Sequence, residues 1–351
     1  MKYLFEEVNF PAEKPYRTVL QNMRIFYLSL LFVFSSFFLL SGCGLSDSGS
    51  KQVSAQDVVT VKNAGRTLIF ENAPQRIVSL NQSGTEIFLA LSLGDSIVGT
   101  AYNHSEPLPR FSEEYEKIPQ LADQYPSLEV LLETNPDFVY GFKSAFTPPD
   151  GPATLQRLEE LGIQAYVDRQ FWQPEMTLKD VYEEFRILGR IFRVEEQANQ
   201  VVRKMKKEIG EILSRLNQDR PRWRVAVYYS GKNSVLTTGT SHLSSMIEKL
   251  GGVNVFKGDL NQVWGRVSWE TFVEREPDVI VIQDYQGMTA EEKIEFLRSK
   301  SALKEVPAIE KERFVVVPLV SVFTGPRNVE AIRILAKGMY PDSFGKSKDE
   351  G

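Results

Sequence analysis

The sequence predicts an α/β protein of two lobes with mainly parallel sheets, joined by one long α-helix. Three observations carry this. Strands and helices alternate from Val58 to Val167, stop, and resume at Arg224. Between those runs, about 45 residues hold helix-period apolar spacing and no strand. One 14-residue stretch also occurs twice, as Ser127–Tyr140 (SLEVLLETNPDFVY) and Ser268–Val281 (SWETFVEREPDVIV), 141 residues apart without a gap.

Each copy has the same physics. Ser127 or Ser268 can cap a short helix by accepting from its free N–H groups. Glu129 or Glu270 in the first turn suits the positive end of the helix dipole. Pro136 or Pro277 stops the helix, and a β-rich run follows. Helix–Pro-Asp–strand units are common in α/β proteins, so the repeat alone leaves chance open, and the surrounding chain has to decide.

In order, Val58–Phe70 alternates around Asn63-Ala64-Gly65 and reads as a hairpin. Arg76–Leu80 is a strand, Gly84–Leu93 a helix stopped by Gly94, and Ile97–Ala101 a strand. The first repeat copy adds a helix and the strand Phe138–Phe142. Pro152–Leu161 is a helix and Ala165–Val167 a strand. Leu178–Ile191 is a helix, and Val194–Leu216 a second of roughly six turns. Its apolar residues, from Val194 to Leu216, step by three and four onto one stripe. Then come strand Arg224–Ser230, helix Leu243–Leu250, the second repeat copy with strand Val279–Gln283, helix Ala290–Ser299, strand Phe314–Pro318 and helix Asn328–Met339. The boundaries implied are a first lobe at 57–177, a helical bridge at 178–220, a second lobe at 221–343 and a charged tail at 344–351.

At 351 residues the chain is long enough for two domains, and 42% hydrophobic with 25% charged residues is ordinary for a globular protein. A net charge of −5 argues against nucleic-acid binding. The single cysteine excludes an internal disulfide, an iron–sulfur cluster and a cysteine-based zinc site. His104 and His242 are the only histidines, and no His/Asp/Glu cluster has metal spacing.

The N-terminus reads as a targeting segment. Ile25–Leu40 is a 16-residue apolar run, slightly short for a membrane span and suited to a signal peptide. It ends at LSGC, which resembles a bacterial lipobox, so Cys43 is the expected lipidation site; a plain membrane anchor with an incidental cysteine is the alternative. Met23 would begin a more usual signal peptide than Met1. The Ser/Gly-rich stretch 44–56 reads as a flexible tether. The expectation is a 1–42 signal peptide and a monomer held outside the cell membrane by lipid.

Four stretches, RIVSLNQSGTEIFLALSLGDSIVG, SLEVLLETNPDFVYGF, LGGVNVF…VWGRVSWETFVEREPDVIVI and TGPRNVEAIRILA, resemble the substrate-binding proteins of ABC importers for iron–siderophores, haem and vitamin B12. The resemblance covers roughly 58–341. It implies two Rossmann-like lobes joined by a rigid backbone helix, with ligand held between them and no catalysis. It also implies an ABC permease dimer with its ATPase as partner. Glu129 and Glu270 match the family's permease-docking positions, with Glu86 a weaker candidate.

Ligands of open α/β folds sit at the carboxyl ends of strands. The cleft candidates are therefore Trp264, Arg327, Trp172, Arg266, Tyr229 and Tyr102, with His104, Lys143, Arg169, Tyr285 and Phe323 nearby. Trp264 and Arg327 lead, because VWGRVSWE and TGPRNVE match motifs that line the family's cleft. Aromatics and arginines suit a ferric siderophore, which arrives already chelated, so no cofactor and no protein metal ligands are needed. Cobalamin or haem is the alternative within the class. An extracytoplasmic enzyme on a Rossmann-like scaffold is the alternative outside it, although no GxGxxG follows the first strand and no P-loop or GxSxG occurs.

Overall fold

The computed structural model describes residues 58–344 apart from 174, 261, 262 and 286. The apolar run Ile25–Leu40 and Cys43 lie outside the described residues. Residues from Ala55 onward form a compact unit of their own, and among the described residues each half contributes an apolar core cluster.

The first half opens with β1 (Val59–Asn63) and β2 (Arg66–Phe70), antiparallel about a turn at Ala64 and Gly65, both with positive φ. There follow β3 (Ile77–Ser79), α1 (Gln82–Ala90), β4 (Ile97–Ala101), α2 (Ser112–Tyr115), β5 (Gln120–Ala122), α3 (Leu128–Glu133), β6 (Phe138–Gly141), α4 (Leu155–Glu160) and β7 (Gln164–Val167). The parallel sheet has the order β5-β4-β3-β6-β7. Connections leave β3 in both directions, which opens a crevice at the carboxyl ends of the strands. The hairpin covers one edge of this sheet. The Asn63 amide donates to the Val167 carbonyl at 2.8 Å and accepts from its N–H at 2.9 Å, as a neighbouring strand would.

Two helices cross to the second half, α5 (Leu178–Ile191) and α6 (Glu195–Ser214). Arg193 turns between them at φ +59°. At 20 residues α6 is about 30 Å long. Its buried stripe of Ala198, Val202, Met205, Ile209 and Ile212 follows the predicted spacing. Gly189 lets α5 approach closely, since a Cβ there would stand 2.6 Å from the Ala198 methyl.

The second half contains β8 (Arg224–Tyr228), β9 (Val235–Thr237), α7 (His242–Lys249), β10 (Val253–Asn254), β11 (Gly265–Val267), α8 (Trp269–Glu274), β12 (Val279–Asp284), α9 (Ala290–Ser299), α10 (Pro307–Glu310), β13 (Phe314–Pro318) and α11 (Asn328–Met339). Its parallel sheet runs β10-β8-β12-β13, and β9 with β11 makes a separate antiparallel ribbon. The segment carrying Arg266, expected as a loop, is therefore a strand. Two helices also start differently from expectation. α1 begins at Gln82 because Asn81 caps it, accepting from Gly84 N–H at 2.6 Å. α4 begins only at Leu155, where Thr154 caps it.

The repeated stretch is the same structure twice. Ser127 caps α3 and Ser268 caps α8, each accepting from the N–H three residues on. Each helix ends at a residue with positive φ, Asn135 or Glu276, just before the proline. The aspartate after the proline accepts from the N–H of an arginine at the start of the central strand: Asp137 from Arg76 at 2.9 Å, Asp278 from Arg224 at 3.0 Å. Each arginine then reaches back to the carbonyls at its helix end, Arg76 to Thr134 and Asn135, Arg224 to Arg275 and Glu276. Chance does not explain a clamp reproduced down to its backbone acceptors; the two halves are structural repeats.

Candidate ligand-binding cleft

Aromatic residues stand at the carboxyl ends of strands in both halves. Tyr102 follows β4, Tyr125 follows β5, and Phe142 follows β6. Phe171 lies in the short turn after β7, and Phe323 follows β13. Tyr102 stacks on Tyr125 with centroids 4.7 Å apart and takes the His104 ring edge-on at 4.4 Å. Phe142 packs on Phe171 at 4.4 Å. The chain of rings then crosses to the second half, Phe142 to Phe323 at 4.8 Å and Phe171 to Trp264 at 5.9 Å. Rings from both halves thus meet where the two parallel sheets point their carboxyl ends.

The loop that carries Tyr102 and His104 is held from α1. The Gln82 side chain accepts from the N–H groups of His104 and Ser105, both at 2.9 Å, and donates to the Ser105 carbonyl. Tyr102 itself sits at φ +57°, a conformation that costs a bulky residue energy. Burial pushes its hydroxyl up to about 12, with Asp150 adding to the shift. Burial lowers His104 to about 4, so its imidazole is neutral at pH 7.

On the second-half wall, Tyr229 is buried, and burial raises its pKa while Trp264 beside it works the other way. The Tyr285 hydroxyl is raised by burial and partly offset by Ser230 and Arg266. Behind Tyr285 the Lys293 ammonium lies 4.0 Å from the ring centre and donates to the Gln283 carbonyl at 2.6 Å. Arg266 is exposed on β11. At the first-half wall Arg169 lies over the Trp172 ring at 5.9 Å and donates to Gln173 at 2.6 Å.

Of the sequence-predicted cleft residues, the fold brings Tyr102 and Trp264 into the chain of rings, and Tyr229 and Arg266 beside its second-half end. Trp172 turns aside: it is half-buried against the first-half core and donates to the Val167 carbonyl at 3.3 Å. Arg327 is elsewhere. Its guanidinium grips Glu86 through two hydrogen bonds, 2.7 Å from Nε and 2.6 Å from Nη2, and Nη2 also donates to the Glu106 carbonyl. Glu86 is fully buried and also accepts from Leu108 N–H, so it cannot be a surface docking residue. The Arg327–Glu86 pair ties α11 of one half to α1 of the other. Glu129 and Glu270 are both exposed, each at the second position of its Ser-capped helix. Trp269, inside α8, is buried in the second-half core and donates to the Lys232 carbonyl.

Tyr125 and Phe171 carry weak signals in the sequence: β5 before Tyr125 is only three residues long, and in RQFWQ Phe171 stands beside the larger Trp172.

A buried acidic cluster backs the rings. Asp168 caps the turn that holds Phe171, accepting from Gln170 N–H, and it also accepts from the Thr324 hydroxyl of the other half at 2.9 Å. Glu184 on α5 accepts from Tyr166 at 3.0 Å. Burial pushes Asp168 up to about 6, against its hydrogen bonds. Burial, with the Asp168 charge adding to it, pushes Glu184 up to about 8. No group of three or more His, Cys, Asp or Glu suited to a metal occurs among the described residues, nor does any helix long and apolar enough to cross a membrane.

A sequence profile of the family described as periplasmic binding protein matches residues 77–319, which spans both parallel sheets. The chain belongs to the periplasmic binding protein family. Within reach of this member is an uncharacterized ABC transporter substrate-binding lipoprotein, YvrC, of Bacillus subtilis (strain 168), 28% identical over 87% of this chain and 94% of the relative. A vitamin B12-binding protein of Yersinia pestis (strain Pestoides F) is 25% identical over 61% of this chain and 71% of its own length. Among solved structures, a periplasmic binding protein from Veillonella parvula superposes with a TM-score of 0.75 at 28% identity, covering 81% of this chain and 98% of that one.

Proposed function

We propose that this protein captures a ferric siderophore between its two lobes outside the cell membrane and delivers it to the permease of an ABC importer. The chain of rings that crosses from one sheet's carboxyl ends to the other's is the observation that carries the reading. Rings supply apolar area and stacking surfaces for a flat or aromatic chelate. Arg169 and Arg266 at its borders supply planar donors for anionic oxygens. The relative named an ABC transporter substrate-binding lipoprotein supports both the transport role and lipid attachment, here at Cys43. Delivery would use Glu129 and Glu270, equivalent exposed carboxylates on two repeated lobes, which suit a two-subunit permease.

Cobalamin is the second reading, favoured by the relative named a vitamin B12-binding protein. Tryptophan fluorescence separates the two, because Trp264 lies in the ring chain. The chain from Ala55 onward is titrated with ferric hydroxamate and catecholate siderophores, haem and cyanocobalamin. Saturable quenching by a ferric siderophore alone supports the first reading, and by cyanocobalamin alone the second. Silence toward all of them removes the transport reading.

A further inference from the structure

A pocket of about 370 Å³ lies where α1, the turn at Pro109–Phe111, α6 and α11 meet. Both halves and the joining helix supply its walls. None of the cleft rings lines it, so it is a separate site. Its volume is at the small end of ligand cavities, which begin near about 300 Å³.

The floor is apolar, built from Leu89, Phe111, Val201, Met205 and Val329. The rim is cationic. Arg110, Lys204, Arg327 and Arg333 line it, against only Glu208 and Glu330. Arg333 already serves both of those carboxylates, at 3.9 and 3.3 Å. Arg327 is answered by Glu86. Arg110 and Lys204 are left with no carboxylate partner among the described residues. Arg110 also lies over the Phe111 ring at 4.7 Å, which keeps its guanidinium against the apolar floor and leaves its N–H edge open to a ligand.

We propose that this pocket binds a small carboxylate with a short alkyl chain, at a site distinct from the cleft. The arginine fork matches a carboxylate, two uncompensated cations favour a single small anion, and the apolar floor takes the chain. Because the walls include α1 and α11, the helices tied by Glu86 and Arg327, the occupant holds the two lobes in this arrangement and raises the melting temperature by mass action.

Calorimetric titration of the chain from Ala55 onward, with octanoate as probe and octanol and octylammonium as controls, tests this. Octanoate is expected to bind once per chain. Both controls, and octanoate with the Arg110→Glu/Lys204→Glu variant, are expected to bind at least about tenfold more weakly. Arg110 and Lys204 are exposed and outside the cleft, so the variant should melt as the parent does. No octanoate binding to the parent, equal binding by octylammonium, or undiminished binding to a folded variant would overturn the proposal.

Discussion

Glu184 shows how one buried residue sets a pH dependence. Its ordinary pKa is 4.5 and burial raises it to about 8. The folded state therefore prefers the protonated form and binds a proton that the unfolded chain gives up at lower pH. Stability from this group is full below pH 4.5 and is lost as pH rises toward 8. Glu184→Gln keeps an acceptor for Tyr166 without the charge. It should stabilise the protein by about 1 to 3 kcal/mol above pH 8 and not below pH 4.5, read from urea unfolding across that range. The Glu86–Arg327 pair matters through charge balance at a buried site. Arg327→Ala leaves a carboxylate at 0% exposure with only a backbone donor, and should cost about 3 to 5 kcal/mol in the same assay. Glu86→Leu with Arg327→Met should recover much of that loss. Neither effect was legible in the sequence. Glu86 has the look of a helix-surface glutamate, and its partner lies 241 residues away.

At the scale of elements, α3 and α8 are matched to the level of their caps and terminal turns. Their first-turn glutamates are exposed, so Glu129→Arg with Glu270→Arg should leave ligand affinity unchanged, with only a small loss of stability at the two helix N-termini, while abolishing uptake in cells. A fall in affinity in the fluorescence titration would mean that these carboxylates support the cleft instead. These elements were readable because each carries several signals together: a serine cap, an apolar face, a Pro-Asp stop and a β-rich run. The long helices were readable from period alone. β5, β9, β10 and β11 were not, since each has two or three residues and its pairing depends on segments far away in sequence. That loss reached the cleft. Arg266 sits on a strand whose partner, β9, had no pattern of its own, and Tyr125 follows a strand too short to notice. The ring types were visible in the sequence, while the path they make was not.

For the whole molecule, the lobes are held by α6, by the Glu86–Arg327 pair, by the Thr324–Asp168 hydrogen bond and by rings in contact across the cleft. If the proposed function holds and the rings line the ligand site, entry must part them, so a bulky chelate should enter more slowly than diffusion allows, which stopped-flow quenching of Trp264 can measure. The lipid attachment expected at Cys43 belongs to this scale too. Cys43→Ser should move the protein from the membrane to the soluble fraction, and lipid label still incorporated would count against that site. The repeated Pro-Asp clamp also bears on how the chain reaches this structure. It joins residues 61 apart in one half and 54 apart in the other. Loop-closure entropy for spans that similar differs by only about 0.1 kcal/mol. The two halves therefore start with nearly equal entropic barriers to forming their central strands. The contact between α1 and α11 spans 241 residues when the chain is open and becomes short-range only once both halves exist. Refolding should then proceed by two parallel collapses of similar speed, with joining of the lobes as the last and slowest event.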